Sequence, residues 1–241
     1  MLTILNLGCG TRTSPAMVNI DWSIHLRLRK NAHLAAIAQR LLRGDRRKAF
    51  EQLDENIIVH DLRTGIPASS SSVDAVYHSH IFEHIDRSAV PAFLGEVRRV
   101  LKPGGIHRIA VPDLEGRARE YLASLDRARS SFGERYRHDD YVGLMIEQMV
   151  RREASGTAQQ GTVQRWIENR LLGDARKRGE THQWMWDEIN LGVVLEQAGF
   201  TDVQSVTHIS SAIPGWAEFG LDKTRDGTPY KPESLYIEAR A

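Results

Sequence analysis

Hydrophobic residues in this chain fall into short runs that are separated by turns and by longer amphipathic stretches. Short runs bounded by turn residues are typical of buried strands, whereas apolar residues three or four positions apart are typical of helices. The pattern predicts strands over residues 2–7, 18–21, 57–60, 73–78, 106–111, 203–209 and 235–239. It also predicts one or two helices over 24–41 and single helices over 90–101 and 188–198.

The order of these elements predicts an α/β fold. Strands that alternate with helices are typical of a mostly parallel sheet with helices on both faces, and the last two strands predict an antiparallel pair that closes the sheet. Residues 115–181 are polar and Arg-rich and contain no strand-like run, so they predict a helical insertion or cap. We expect a core over 1–114, the insertion over 115–181, and the rest of the same core over 182–241.

Composition narrows the class of protein. The 241 residues are 41% hydrophobic and 26% charged, as in ordinary soluble globular proteins. Lys and Arg number 32 against 31 Asp and Glu, so the net charge of +1 predicts no general attraction to nucleic acid. The single cysteine, Cys9, excludes an internal disulfide and suits a reducing compartment. With no signal-like start and no run of about 18 apolar residues, the chain is expected to be cytoplasmic.

Polar residues follow three predicted strands and suggest a ligand site. Gly8-Cys9-Gly10 forms a glycine turn after the first strand, where backbone N–H groups can approach a ligand closely. Asp21 ends the second strand and Asp61-Leu62 ends the third. Because the carboxyl ends of parallel strands share one edge, these tips predict a nucleotide-binding crevice. Thr13 stands where the dinucleotide fingerprint requires its third glycine, so that fingerprint is not met.

Several ordered segments in the first half resemble the motifs of class I S-adenosylmethionine-dependent methyltransferases. They are LNLGCG at 5–10, NID at 19–21, HDL at 60–62, VDAVY at 73–77, EH at 83–84 and EVRRVLKPGG at 96–105. The resemblance implies a Rossmann-like fold and S-adenosylmethionine as cofactor. The segments HQWMWDE at 182–188 and KPESLY at 231–236 are similar to a bacterial subgroup associated with glycan and surface-polysaccharide methylation.

The resemblance also implies roles for particular residues. Gly8, Cys9 and Gly10 would lie against the methionine part of the cofactor. Asp21 would hold the ribose, and Asp61 with Leu62 would contact the adenine. His78 and Ser79 would face the methionine and the methyl group. The ten residues between Gly10 and Asp21 are too few for a full crossover helix, so a turn or loop is expected there.

Histidines after the fourth strand are the candidate bases. Methyl transfer to a hydroxyl needs a group that removes its proton, and imidazole suits that task near neutral pH. We expect His80 or His84 to act as the base, on one face of a helix that contains Glu83. The same residues match the His-x-x-Glu-His motif of one zinc peptidase group, which gives a metallopeptidase as a rival function. Five residues are weak evidence for it, and we expect no bound metal.

The acceptor is the least determined part of the function. The resemblance favours O-methylation of a sugar or glycan hydroxyl; methylation of another small metabolite and a non-catalytic nucleotide-binding protein are the alternatives. His182, Trp184 and Trp186 suit either sugar stacking or the core. Residues 24–50 contain eight Lys or Arg and one Asp. That segment allows peripheral contact with an anionic membrane, binding of a phosphorylated substrate, or simply a solvated helix face.

Overall fold

The computed structural model describes residues 2–30, 44–149 and 181–241, together with His33, Ala35 and Arg40. These residues form one seven-stranded sheet with the strand order β3-β2-β1-β4-β5-β7-β6. The strands are β1 (Ile4–Leu7), β2 (Val18–Asp21), β3 (Ile58–Val59), β4 (Val73–Ser79), β5 (Leu101–Pro112), β6 (Thr201–Val206) and β7 (Ser234–Arg240).

The pairing of the strands confirms the predicted α/β fold. β1 to β5 are parallel to one another, whereas β7 is antiparallel to both β5 and β6. The strand order reverses between β1 and β4, where parallel sheets usually bind ligands beyond the carboxyl ends of the strands. The glycine turn and the histidine segment both lie at this edge, because they follow β1 and β4 directly.

Helices connect and cover the strands. They are α1 (Ile24–Arg29), α2 (Gly44–Glu51), α3 (Val90–Val100), α4 (Leu114–Ser130), α5 (Phe132–Met149), α6 (Glu188–Gln197) and α7 (Trp216–Phe219). The predicted helices over 90–101 and 188–198 are confirmed to within one residue. Most of 31–43 and all of 150–180 lie outside the described residues. The described part of the predicted insertion is helical, and the division of the chain into three parts stays a prediction.

Strand bounds differ from the sequence expectation at β5 and β6. β5 begins at Leu101, five residues earlier than predicted, because Leu101 pairs with Val73 across a register shift. The Pro-Gly-Gly segment that signals a turn is thus absorbed into the strand. β6 ends at Val206 rather than Ile209 and has an irregular register where Asp202 adopts a positive φ of 50°. Pairing with the neighbouring strand, which local pattern does not reveal, sets both bounds.

The connection between β1 and β2 contains turns and no helix over residues 8–17, all of which the structure describes. This confirms the expectation drawn from the short spacing. In place of a helix, Asn6 and Asn19 support this connection. The Asn6 side chain donates to the Arg12 carbonyl at 2.8 Å and to Oδ1 of Asn19 at 3.0 Å. A buried amide pair therefore fixes the shape of the loop that follows the glycine turn.

Alternating residues of the strands build two separate cores. On one face Leu7, Val76 and Ile109 pack against helices α3 and α6. On the other face Ile4, Tyr77 and Trp216 belong to a smaller cluster beneath the C-terminal segment. Because successive strand residues point to opposite faces, this two-sided burial explains why the strands appear as continuous apolar runs. In the part of the chain described, no helix is long and apolar enough to cross a membrane.

Candidate methyl-transfer site

The glycine turn leaves open space at the carboxyl end of β1. Gly8 and Gly10 have φ values of +57° and +53°, a left-handed conformation that residues with a Cβ rarely adopt. A Cβ added to Gly10 would meet no atom within 4 Å. The backbone at Gly10 is therefore accessible to a ligand, as the sequence predicts.

Asp21 connects the glycine turn to the end of β2. Its Oδ2 accepts a hydrogen bond from the Gly10 N–H at 3.0 Å, and its Oδ1 accepts one from the Ser23 N–H at 2.6 Å. The residue is only 8% exposed. Each oxygen retains acceptor capacity, because a carboxylate oxygen can accept two hydrogen bonds. Asp21 thus shapes the turn and can also receive two ligand hydroxyls.

Asp61 follows β3 and begins a single 3-10 turn over Leu62–Thr64. Its carboxylate pairs with the Arg63 guanidinium at 2.6 Å, and this hydrogen bonding lowers the pKa of Asp61. The Arg63 side chain is 66% exposed. The local ion pair occupies much of the Asp61 carboxylate, so the backbone N–H of Leu62 is the simpler hydrogen-bond donor for a ligand at this tip.

Cys9 packs in the core beneath the turn. It belongs to an apolar cluster with Leu26, Phe50 and Leu53. Burial, assisted by the charge of Asp21, raises the pKa of the Cys9 thiol to about 12. Since the thiolate is the reactive form of cysteine, Cys9 is not suited to act as a nucleophile.

The end of β4 lies directly beside the glycine turn. A Cβ at Gly8 would lie 2.1 Å from Cδ1 of Ile81, so the two segments are in close contact. Ser79 is half-buried, whereas His78 is fully buried and its Nε2 lies 3.0 Å from Nε2 of His107 in the core. The imidazole of His78 therefore points away from the crevice, contrary to the role implied by the resemblance. Strand alternation explains this, since neighbouring residues face opposite sides of the sheet.

His80 lies between Glu83 and the beginning of β7. Its Nδ1 is 3.2 Å from Oε1 of Glu83, and its Nε2 is 2.9 Å from Oγ of Ser234. Burial lowers the pKa of His80, and the neighbouring Glu83 only partly offsets this effect. The imidazole is therefore favoured in its neutral form, in which one ring nitrogen can accept a proton.

His84 contacts Glu83 from the other side. Its Nδ1 is 3.0 Å from the Thr181 carbonyl oxygen and its Nε2 is 3.9 Å from Oε1 of Glu83. Burial also lowers the pKa of His84. The His182 ring stands edge-on to His84, with ring centroids 4.8 Å apart. Three histidines from two distant parts of the chain thus meet around one carboxylate.

Glu83 is the centre of this group and is fully buried. Burial alone would raise its pKa, but contact with His80 and the influence of His80 and His84 outweigh that effect and lower the pKa to about 2. Its backbone carbonyl accepts hydrogen bonds from the Gln183 and Trp184 N–H groups at 2.7 and 3.3 Å. The segment that carries His182 therefore holds the backbone of Glu83 in place.

The predicted helical arrangement of these histidines is wrong. Residues Phe82–His84 form a single 3-10 turn, and His80 has a positive φ of 53°. His80 and His84 consequently do not stand one helical turn apart on a common face, as the zinc-peptidase motif would require. They meet through Glu83 because the chain reverses sharply after β4.

A comparison with models of protein families links the first half of the chain to a known chemistry. Residues 5–109 match the family model described as a methyltransferase domain. This segment is therefore similar to a methyltransferase domain. The protein is an enzyme that uses S-adenosylmethionine, whose sulfonium supplies an activated methyl group. The crevice at the carboxyl ends of β1 and β2 fits such a cofactor. The space over Gly10 is open, and Asp21 retains acceptor capacity for ribose hydroxyls.

Three solved structures that are similar to this chain are distant from it in sequence. A methyltransferase structure from Methanosarcina mazei is 15% identical, covers 99% of this chain and 91% of its own, and has a TM-score of 0.46. One from Mesorhizobium loti is 16% identical, with coverages of 100% and 91% and a TM-score of 0.43. One from Archaeoglobus fulgidus is 13% identical, with coverages of 100% and 86% and a TM-score of 0.41. A comparison with curated protein sequences finds no match.

Sequence reasoning missed the partners that complete the histidine group. Ser234 lies 154 residues from His80, and Thr181 lies 97 residues from His84. The sequence indicated His182 as part of an aromatic segment and as a reserve candidate for the base, but not as a neighbour of Glu83. No local signal links these positions, since they are far apart in sequence and meet only in the folded chain.

Proposed function

We propose that this methyltransferase transfers the methyl group of S-adenosylmethionine to a hydroxyl of a sugar or glycan. The observation that supports it most is the pairing of His80 with buried Glu83 beside the glycine turn. Such a pair can accept the proton that a hydroxyl must lose as it is methylated. A carboxylate facing the other ring nitrogen would stabilise the imidazolium that results.

The cofactor would occupy the tips of β1, β2 and β3. Gly8, Cys9 and Gly10 would offer backbone atoms, Asp21 would bind the ribose, and Asp61-Leu62 would contact the adenine. Ser79 would lie near the methionine part, and His78 would contribute only its backbone there. The single cysteine supports a cytoplasmic location. This assignment uses residues on three neighbouring strand ends, as expected for a ligand at the point where strand order reverses.

Trp184 supports a sugar as the acceptor. Its side chain is 43% exposed, and the segment that carries it is bonded to Glu83. The Arg87 guanidinium lies 5.0 Å from the centroid of the Trp184 ring and restrains it. An exposed, restrained aromatic face beside the base offers an apolar surface to the C–H groups of a sugar ring while its edge contacts water.

An acceptor screen tests the proposal. Labelled S-adenosylmethionine should transfer its methyl group to a sugar nucleotide or glycan, and the bond formed should be a methyl ether. Trp184→Leu should raise KM for that acceptor more than it lowers kcat, whereas Trp22→Leu, which removes another exposed tryptophan, should not. Methylation of a nitrogen or of a non-sugar metabolite in preference to any sugar would contradict the proposed acceptor.

The base has its own test. His80→Asn should lower turnover by about 10²–10⁴-fold, the usual contribution of a positioned base, and leave cofactor affinity nearly unchanged. His84→Asn is the matched comparison, because its ring contacts the other side of Glu83. If His80→Asn keeps full turnover and His84→Asn loses it, His84 is the base instead. If both variants keep full turnover, neither histidine is the base.

A further inference from the structure

The segment that returns after the insertion brings a third ligand-bearing side chain to Glu83. One potential metal-ligand atom from each of Glu83, His84 and His182 lies within 4.8 Å of the other two. One carboxylate and two imidazoles are a ligand set that binds zinc and similar divalent transition ions. The set is not the one in the linear motif, since it uses His182 in place of His80.

The carboxylate of Glu83 has few partners inside the protein. Neither oxygen accepts a hydrogen bond of regular geometry, although both are buried and His80 Nδ1 lies 3.2 Å from Oε1. A buried carboxylate without hydrogen bonds is costly, and the cost is usually offset by a paired cation or a bound metal. Both oxygens are thus available as ligands, and Oε1 lies 3.9 Å from Nε2 of His84.

The tautomer of His84 points to the same conclusion. The Thr181 carbonyl can only accept, so His84 Nδ1 must donate to it. The neutral ring then carries a lone pair on Nε2, which faces an anionic oxygen 3.9 Å away. Two acceptors that face each other inside a protein require a cation or a proton between them. A histidine whose outer N–H binds a backbone carbonyl is also the usual arrangement of a metal ligand.

We propose that Glu83, His84 and His182 bind a divalent transition-metal ion of the zinc class. Ligand atoms around tetrahedral zinc lie about 3.3 Å apart, so the group must contract slightly around the ion. The side chain of His84 is 21% exposed, which provides a route of entry. Three protein ligands leave at least one coordination position of the ion open to a water or a substrate oxygen. The proposal does not depend on the identity of the methyl acceptor.

Direct metal binding tests the site. Untagged protein purified without chelator, or apoprotein titrated with Zn²⁺ in a calorimeter, should bind one equivalent of zinc, and Mg²⁺ should not compete. Co²⁺ should give the visible absorption bands of a low-coordinate site. Glu83→Gln, His84→Asn and His182→Asn should each weaken Zn²⁺ binding by at least about 100-fold, more than the loss of an outer partner.

His80→Asn is the matched control, because His80 contacts Glu83 but is not in the proposed ligand set. It should retain the zinc affinity within a few-fold and keep the Co²⁺ spectrum. Circular dichroism of each variant separates loss of a ligand from loss of the fold. Substoichiometric zinc in the wild type would overturn the proposal. Unchanged zinc binding in folded His182→Asn would also overturn it. The same holds if His80→Asn loses zinc binding while His182→Asn retains it.

Discussion

At the scale of single residues, Asp21 shows how one side chain can serve structure and binding together. Its two oxygens hold the N–H groups of Gly10 and Ser23, which fixes the glycine turn against β2. The same oxygens point to the edge where the cofactor is proposed to bind. The effect of replacing Asp21 must therefore be measured both as affinity and as stability.

Asp21→Asn should weaken binding of S-adenosylmethionine and of its demethylated product by about 1–3 kcal/mol, or roughly 5- to 150-fold. The reason is the loss of a charged acceptor for the ribose hydroxyls. Calorimetric titration measures the affinity, and thermal unfolding reports any loosening of the turn. Asp202→Asn, which changes an exposed carboxylate on β6, should bind like the wild type. Equal affinities for wild type and Asp21→Asn would remove Asp21 from the site.

At the scale of elements, a pair of histidines joins β4 to β5 inside the core. His78 and His107 are fully buried, and their Nε2 atoms lie 3.0 Å apart. Phe82 and Phe93 pack on His78, and Phe200 packs on His107. Burial lowers the pKa of His78 to about 4, against a smaller opposing effect of Glu83, and burial together with His78 lowers that of His107 well below its ordinary value. The folded protein therefore holds both rings neutral.

This pair predicts a loss of stability in weak acid. In the unfolded chain the two imidazoles take up protons below about pH 6.5, whereas the folded state resists protonation down to about pH 4 for His78. Stability is thus fully present above about pH 6.5 and falls as the pH decreases, by about 2 kcal/mol at pH 5 from His78 alone. Urea unfolding between about pH 7.5 and 5 measures the slope.

Variants test whether the His78–His107 pair causes this dependence of stability on pH. Phe at both 78 and 107 should reduce the dependence on pH, whatever its effect on stability at neutral pH; the remaining slope includes His80 and His84, whose pKa values burial also lowers. Leu94→Ala, which removes core packing on the same face and leaves both imidazoles in the chain, should lower stability and keep the slope. A double Phe variant with the wild-type slope would show that other groups cause the acid sensitivity.

At the scale of the whole molecule, one buried arginine ties the C-terminal segment to the sheet. Arg108 on β5 is fully buried, and its guanidinium pairs with Asp222 at 2.9 Å and with Glu238 on β7 at 2.7 Å. It also donates to the Thr207 and Ser210 carbonyls, and the Tyr77 hydroxyl donates to Asp222. The network closes the face of the sheet that lies opposite the histidine pair.

Breaking this network should be costly. Asp222→Ala should lower the free energy of unfolding by about 3–5 kcal/mol, because it leaves a buried guanidinium with only part of its partners. Glu51→Gln, which breaks the exposed pair with Arg47, should change it by less than about 1 kcal/mol. Urea titrations of both variants make the comparison. A similar small change in each would mean that Glu238 and the carbonyls are sufficient partners for Arg108.

Local pattern was enough to predict the alternation of strands and helices, the short β1–β2 connection and the three polar strand tips. These features depend on neighbours in sequence: a run of apolar residues, a glycine that permits positive φ, or a carboxylate directly after a strand. The sequence motifs likewise indicated the methyltransferase class, and the match over residues 5–109 agrees with that indication. The directions of the histidine side chains could not be predicted from local pattern. His78 points into the core, and His80 and His84 do not share a helix face.

Tertiary structure decided the surroundings of Glu83. His182 lies beside Glu83 although about 100 residues separate them, and Thr181 and Ser234 contact the neighbouring His84 and His80 from similar or greater distances along the chain. Sequence periodicity does not reveal these contacts, because they follow from how the elements pack rather than from the propensity of any one segment. Burial then gives the group its chemistry: in water these side chains would be solvated separately, but inside the protein each must satisfy the charges and lone pairs of the others.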